Sequence, residues 1–403
     1  MSKRHFRAAI IATSILSLII AIAAVPLFIL PGATHANMVG ATHTNISSVT
    51  PASIPPQKQG QSSISTINGL THMSVVGSTQ FILDKGGHTA AVDPNPYDVQ
   101  IVPPITNTLA NAPYGSVHTG DLVATNIGNA DKGNVLVLFP ARVGPGHQFN
   151  TAHAAFSGLA KEAFNTETGT DWVTNFSKNN VEIFNPTGTF LTTVNNALFQ
   201  KPWGITFNGG KANPAAKSTG SFFVANATNA TIDRIDIIPV NGNATFKVTQ
   251  IAQLAQNGNE TKIALAWAPA LMINKKQYTD VLLALDPTKN RVAAFANSTT
   301  TTKFTDQGIT AFQGKPLNNP GGIALNPLNN DLLIVNLNDN NLLELNTNSG
   351  SVVGSRLLDN VPVDLQSGNG SALFGVTASK DNGGNLVIYF TDDNTNTIDM
   401  LGV

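Results

Sequence analysis

From residue 121 onward, short apolar runs rich in β-branched and large side chains alternate with polar turns, and one design recurs six times. Asp121 opens DLVATNIGNADKGNVLVLF, Asp171 opens DWVTNFSKNNVEIF and Ser221 opens SFFVANATNATIDRIDI. Asp280 then opens DVLLALDPTKNRVAAF, Asp331 opens DLLIVNLNDNNLLEL and Asn385 opens NLVIYFTDDNTNTIDML. Each unit is a strand-length run closed by Asn or Asp, a polar turn, and a second strand-length run. The closing residues are Asn126, Asn175, Asn226, Asp286, Asn336 and Asp392, spaced 49, 51, 60, 50 and 56 apart.

A further run precedes most pairs, at Pro96-Tyr97-Asp98-Val99, Pro202-Trp203-Gly204-Ile205, Pro320-Gly321-Gly322-Ile323 and Leu373-Phe374-Gly375-Val376. Blades two and four open near Gly158-Leu159 and Ile263-Ala264. A fourth run follows in several units, as at Thr189 to Val194, Ala244 to Ile251 and Ser351 to Leu358. Four strands at a period near fifty residues predict an all-β fold, a six-bladed β-propeller of four-stranded antiparallel blades over residues 69–403. The last unit holds only three runs before Val403, so a ring without a free edge needs a strand from elsewhere. The segment from Gly69 to Leu83, GLTHMSVVGSTQFIL, is expected to pair beside Thr397 to Leu401 and complete the blade.

The Pro-x-Gly-Ile openings, the Val-x-Asn/Asp ends and the following Asn-x-Val/Ile resemble the NHL-repeat propeller, within a wider group of SMP-30/gluconolactonase-like and streptogramin-lyase-like proteins. The resemblance covers about residues 95 to 403. It implies the fold; activity varies within such a group. The lyases use histidines of several blades, whereas the eight here stand at 5, 35, 43, 72, 88, 118, 147 and 153, which counts against carrying that activity over. The lactonase-like proteins hold a central cation on carboxylate and amide oxygens, and Asp98 is the nearest match to their acidic strand opening.

With strands a to d numbered outward from the axis, the b–c turns and d–a connections share one face. Asn126, Asn175, Asn226, Asp286, Asn336 and Asp392 converge there, either capping their own turns or forming a polar ring for a ligand. Trp203, with Tyr97 and Phe374, stands near the same face, packing between blades or lining the channel mouth. Asp98, Asp286 and Asp392 are the candidate donors for calcium or another divalent cation, and no other cofactor is predicted. No catalytic residue is assigned, and no GxSxG nucleophile elbow is present.

Composition narrows the partners. The 403 residues carry a formal net charge of -1, and no Lys/Arg run lies beyond the N-terminus, so nucleic acid is not expected as a partner. Without cysteine there is no disulfide, thiolate site or cysteine-linked lipid. Lys3, Arg4, His5 and Arg7 precede the apolar stretch Ala8 to Leu30 and a small-residue site at Ala36. Residues 1–36 therefore read as a secretory signal, or as a membrane anchor if uncleaved, and 37–68 as a flexible Ser/Thr/Pro/Gln-rich linker. The expectation is a secreted, extracytoplasmic monomer that binds protein or glycan without catalysis; the alternative is a cation-dependent, lactonase-like hydrolase with its site at the channel mouth.

Overall fold

The computed structural model describes residues 64–104, 116–151, 153, 155–256 and 258–403. The signal segment and residues 37–63 of the expected linker lie outside them. The chain is all-β, with six antiparallel blades of four strands, one of them extended to six strands. The innermost strands are Pro96–Ile101, Leu159–Phe164, Pro202–Phe207, Leu265–Ile273, Pro320–Leu325 and Val376–Lys380, and each contacts the next in a closed circle. The second strands end at Asn126, Asn175, Asn226, Asp286, Asn336 and Asp392, the six residues that set the repeat.

Sheets twist, so each blade must bury both faces against its neighbours. Each of the six seams accordingly holds its own apolar cluster. Leu138, Phe149 and Phe184 fill the seam between blades one and two, and Trp172 stacks on Phe222 at 4.1 Å between blades two and three. A fully buried side chain of this size stabilises by ~1.5–3 kcal/mol. With the cost shared around six equivalent seams, no single core dominates.

The registers explain the Pro-x-Gly openings. Strand a bulges after its first residue in blades one, two, three and five, and the register then places Asp98, Lys161, Gly204 and Gly322 at one equivalent depth. Gly204 faces the next inner segment closely enough that a Cβ would collide with the Ile263 carbonyl. A Cβ on Gly375 would lie 2.7 Å from the Asp98 Cα, and one on Gly322 would lie 2.9 Å from the Phe374 carbonyl. The glycines are there because six inner strands crowd one axis.

The N-terminal portion closes the ring. His72–Ser78 pairs antiparallel with Thr397–Gly402, from His72 opposite Gly402 to Ser78 opposite Thr397, and supplies the missing fourth strand of blade six. The expected closing segment is thus right in its first half only. Phe81–Leu83 turns away after Ser78, whose Oγ accepts from the Gln80 and Phe81 amides, and joins the outer edge of blade one. There it runs parallel to Gly146–Gln148 and forms a hairpin with Thr89–Ala91.

Residues 64–68 also depart from the linker expected of them. Ile67–Gly69 is a 3-10 turn, and Ser65, Thr66 and Ile67 all donate to the buried Glu344 carboxylate of blade five. Composition hides this docking because the segment is held by a carboxylate far away in sequence rather than by its own apolar side chains.

Candidate functional site

The axis is nearly filled. A cavity of only about 20 Å³ remains there, and every blade lines it, with Asp98, Lys161, Gly204, Ala264, Ile323 and Val376 among the lining residues. That is room for about one water. Four of the six blades present Gly or Ala at the innermost depth, and the freed space takes the Asp98 and Lys161 side chains of blades one and two. Lys161 Nζ stands 3.4 Å from Asp98 Oδ1 and also donates to the Phe374 carbonyl. The other Asp98 oxygen accepts from the Glu162 amide at 3.1 Å and from Gln100 Nε2 at 3.3 Å. Burial pushes the Asp98 pKa up and the Lys161 pKa down, each opposed by the partner's charge.

Beside this pair, Glu162 and Asp171 lie fully buried, and among the described residues none of their four carboxyl oxygens has a hydrogen-bond partner. Burial raises both pKa values, and the Asp171 charge raises that of Glu162 further.

Above the filled axis, where the b–c turns and d–a connections meet, an aromatic layer closes the mouth. Tyr97 stacks on Phe374 with ring centroids 3.9 Å apart and meets Trp203 edge-on at 5.5 Å, and Phe176 meets Trp203 edge-on at 5.5 Å. Lys262, in the connection leading into blade four, lays its ammonium over this layer, 4.5 Å from the Trp203 centroid and 5.3 Å from that of Tyr97. Desolvation lowers its pKa, opposed by the charges of Asp131, Glu260 and Asp393. Asp393 is pushed up to about 7 by burial and then by Asp392, with Lys262 pulling it down. Against Lys262 lies a cavity of about 190 Å³, lined also by Glu260, Thr261, Thr288, Asn319 and Leu337.

The Asn series occupies the predicted face but points inward. Asn126, Asn175, Asn226, Asp286 and Asn336 are fully buried, and Asp392 nearly so. Asn175 accepts from the Ser157 amide at 2.9 Å and donates to the Ala155 carbonyl and to Glu182 Oε1. Asn226 accepts from the Gln200 amide at 2.9 Å and donates to Thr231 Oγ1 and to Asp233 Oδ2. Asn336 repeats the pattern with the Asn318 amide and the Pro316 carbonyl. Each clamps the incoming d–a connection to the end of strand b, which is why the spacing recurs. Asn126 donates to the Thr79 carbonyl, Asp286 accepts from Thr288 Oγ1, and Asp392 accepts from the Thr395 amide. Of the three candidate cation donors, Asp98 lies at the axis beside Lys161 while Asp286 and Asp392 close their own turns.

Trp203, Tyr97 and Phe374 belong to the mouth, and the structure adds Phe176, Lys262 and Asp393 to them. The aromatic positions were legible as strand openings. Lys262 carried no signal, since a lone lysine in an Asn/Thr-rich connection looks like any solvated loop residue. Lys161 carried one: aligning LAKEAF with PWGITF puts a lysine at the glycine depth of a strand buried on both faces.

No protein-family model and no curated protein matches the sequence. Solved structures match in fold. A Bacteroides thetaiotaomicron structural-genomics protein of unknown function is 12% identical, with TM-score 0.50, over 82% of this chain and 75% of its own. An auxiliary nutrient binding protein from the same organism is 10% identical, with TM-score 0.50, over 82% and 76%. Staphylococcus aureus virginiamycin B lyase is 11% identical, with TM-score 0.46, over 82% and 99%. At these identities the likeness places the chain among six-bladed propellers and goes no further.

Proposed function

We propose that this chain is an exported NHL-like propeller acting as a non-catalytic binding module, whose protein or glycan ligand docks on the mouth face. The observation that carries the proposal is the contrast between a filled axis and an open cavity beside the mouth. A cavity of about 190 Å³ with an ammonium on its wall adjoins an aromatic layer, whereas the cavity at the axis is only about 20 Å³. Concave sites with a few convergent polar groups are where small ligands bind. One fold neighbour is described as a nutrient binding protein, a role of the same class.

The axial chemistry favours this reading over a cation-dependent hydrolase. A central cation held by Asp98 would stand within a few ångströms of the Lys161 ammonium, already 3.4 Å from that carboxylate. Like charges at such separations repel strongly in a desiccated interior. The N-terminal signal pattern supports export.

The test is to probe glycan and peptide arrays with the labelled chain and its Lys262→Ala variant, with Lys247→Ala on the outer strand of blade three as control. Ligands lost with Lys262→Ala and kept with Lys247→Ala support a mouth site, whereas ligands unaffected by either substitution exclude it. Mass spectrometry of exported protein should find an N-terminus near Asn37; a retained Ala8–Leu30 would mean an anchored protein instead.

A further inference from the structure

Lys262 is the unusual group of the mouth. Its ammonium makes no hydrogen bond and no ion pair with any described residue, although it is half-buried on two aromatic rings. The neighbouring carboxylate that could neutralise it, Glu260, is instead paired with Lys201. Asp393 interacts with Lys262 only at longer range, and with its pKa near 7 it is a weak counter-charge at neutral pH. Cation–π contacts of this kind stabilise by ~0.5–2 kcal/mol, less than a hydrogen-bonded ion pair with desolvated partners provides. The charges of Asp131, Glu260 and Asp393 reach this ammonium without any of them forming an ion pair with it, so at the wall of an open cavity it is poised to take an anion from a ligand.

The rest of the cavity is suited to hydroxyl groups. Asn319 commits its amide NH₂ to Asn338 Oδ1 at 3.1 Å, which leaves its carbonyl oxygen to accept. Thr288 donates its hydroxyl proton to Asp286 Oδ1 at 2.6 Å and keeps lone pairs for a second donor. Leu337 adds apolar surface against which the C–H face of a sugar can lie.

We propose that the mouth pocket binds an acidic sugar, its carboxylate paired with Lys262 and its hydroxyls with Asn319 and Thr288. This rests on the binding-module reading and names its ligand class. A neutral sugar would leave the Lys262 ammonium unpaired, and a simple carboxylate would leave the acceptors unused.

The experiment is isothermal titration of the full chain with a galacturonate trisaccharide, the corresponding galactose trisaccharide, and acetate. The expected result is binding of the galacturonate trimer at least tenfold tighter than of either comparison ligand. Lys262→Gln should bring the acidic trimer down to the affinity of the neutral one while leaving the melting temperature in place. Asn319→Leu should weaken both trimers. Equal binding of the two trimers, undisturbed by Lys262→Gln, would overturn the carboxylate assignment and leave the mouth as a neutral-glycan site. Acetate binding as tightly as the acidic trimer would overturn the sugar assignment. Binding of neither trimer would overturn the proposal as a whole, and array ligands that still depend on Lys262 would show the binding-module reading standing without it.

Discussion

Replacing Glu344 by methionine should release the N-terminal portion from blade five and destabilise the ring. The Glu344 carboxylate is fully buried and accepts from Ser65 Oγ at 3.0 Å, the Thr66 amide and hydroxyl at 2.6 Å each, and the Ile67 amide at 3.2 Å. Asn326 and Asn329 of its own blade donate to it as well, at 3.0 and 3.3 Å. Methionine keeps the volume and removes the acceptor. The Ile67 amide is buried and left without a partner, which costs about 1–3 kcal/mol. The half-buried Ser65 and Thr66 donors lose charge-assisted bonds that water replaces in part, at about 1 kcal/mol each. Relief of the carboxylate's own desolvation offsets about 1–2 kcal/mol. The net expectation is a loss of about 3 kcal/mol, or roughly 5 °C in Tm for a domain of this size.

Thermal denaturation gives the total, and hydrogen exchange by mass spectrometry localises it. Protection should fall in residues 65–78 and in their ladder partner Thr397–Gly402 before it falls elsewhere. Gly354→Ala offers an independent route, because its Cβ would meet Ser65 Oγ and lie 2.8 Å from Ile67 Cγ1 without touching the carboxylate. A Tm within about 1 °C of the parent for both variants, with unchanged exchange in 65–78, would refute the idea that this latch holds the closing strand in place.

Three other outcomes follow from the interior. Asp98→Ala should destabilise by about 3–5 kcal/mol because Lys161 is left buried without its carboxylate, and adding Lys161→Met should recover most of that loss; an additive double-mutant cycle in denaturant melts would show that the axial pair is not coupled. Asp233 is fully buried with its pKa pushed up to about 7 by desolvation, against an ordinary 3.8. The unfolded chain gives up this proton near pH 4 and the folded one only near 7, so its stabilisation is complete below about pH 4 and is lost as pH rises through about 7. Asp233→Asn should therefore raise Tm at pH 8 and change it little at pH 5; equal shifts at the two pH values would contradict the assignment. Asn226→Ala should cost about 2–4 kcal/mol, since it strips the Gln200 amide and the Asp233 carboxylate of buried partners, and a loss below about 1 kcal/mol in urea titration would show that the clamp contributes little.

What the amino-acid sequence determined was everything that repeats. A tight b–c turn and a clamp on the incoming connection demand Asn or Asp in the same place in every blade, and closely packed inner strands demand Gly or Ala at one depth. Those local requirements made the six units, the ends of the second strands and the missing fourth strand of blade six visible without coordinates. The aromatic openings at Tyr97, Trp203 and Phe374 were visible too, because each starts an inner strand.

Tertiary structure alone decided what happens once per molecule. The turn of Phe81–Leu83 into blade one and the docking of Ser65–Ile67 on Glu344 join residues hundreds of positions apart, and no local pattern specifies such a partner. The inward commitment of the Asn series is likewise a matter of which backbone groups arrive beside it. At the axis, Asp98 and Lys161 replace small residues in adjacent blades, and only ring closure turns two isolated exceptions into one ion pair. Lys262 acquires its place over Trp203 and Tyr97 in the same way. Loop charges are uninformative in a linear sequence because solvent is their default partner, and they gain meaning when the fold removes that solvent without supplying a counter-ion.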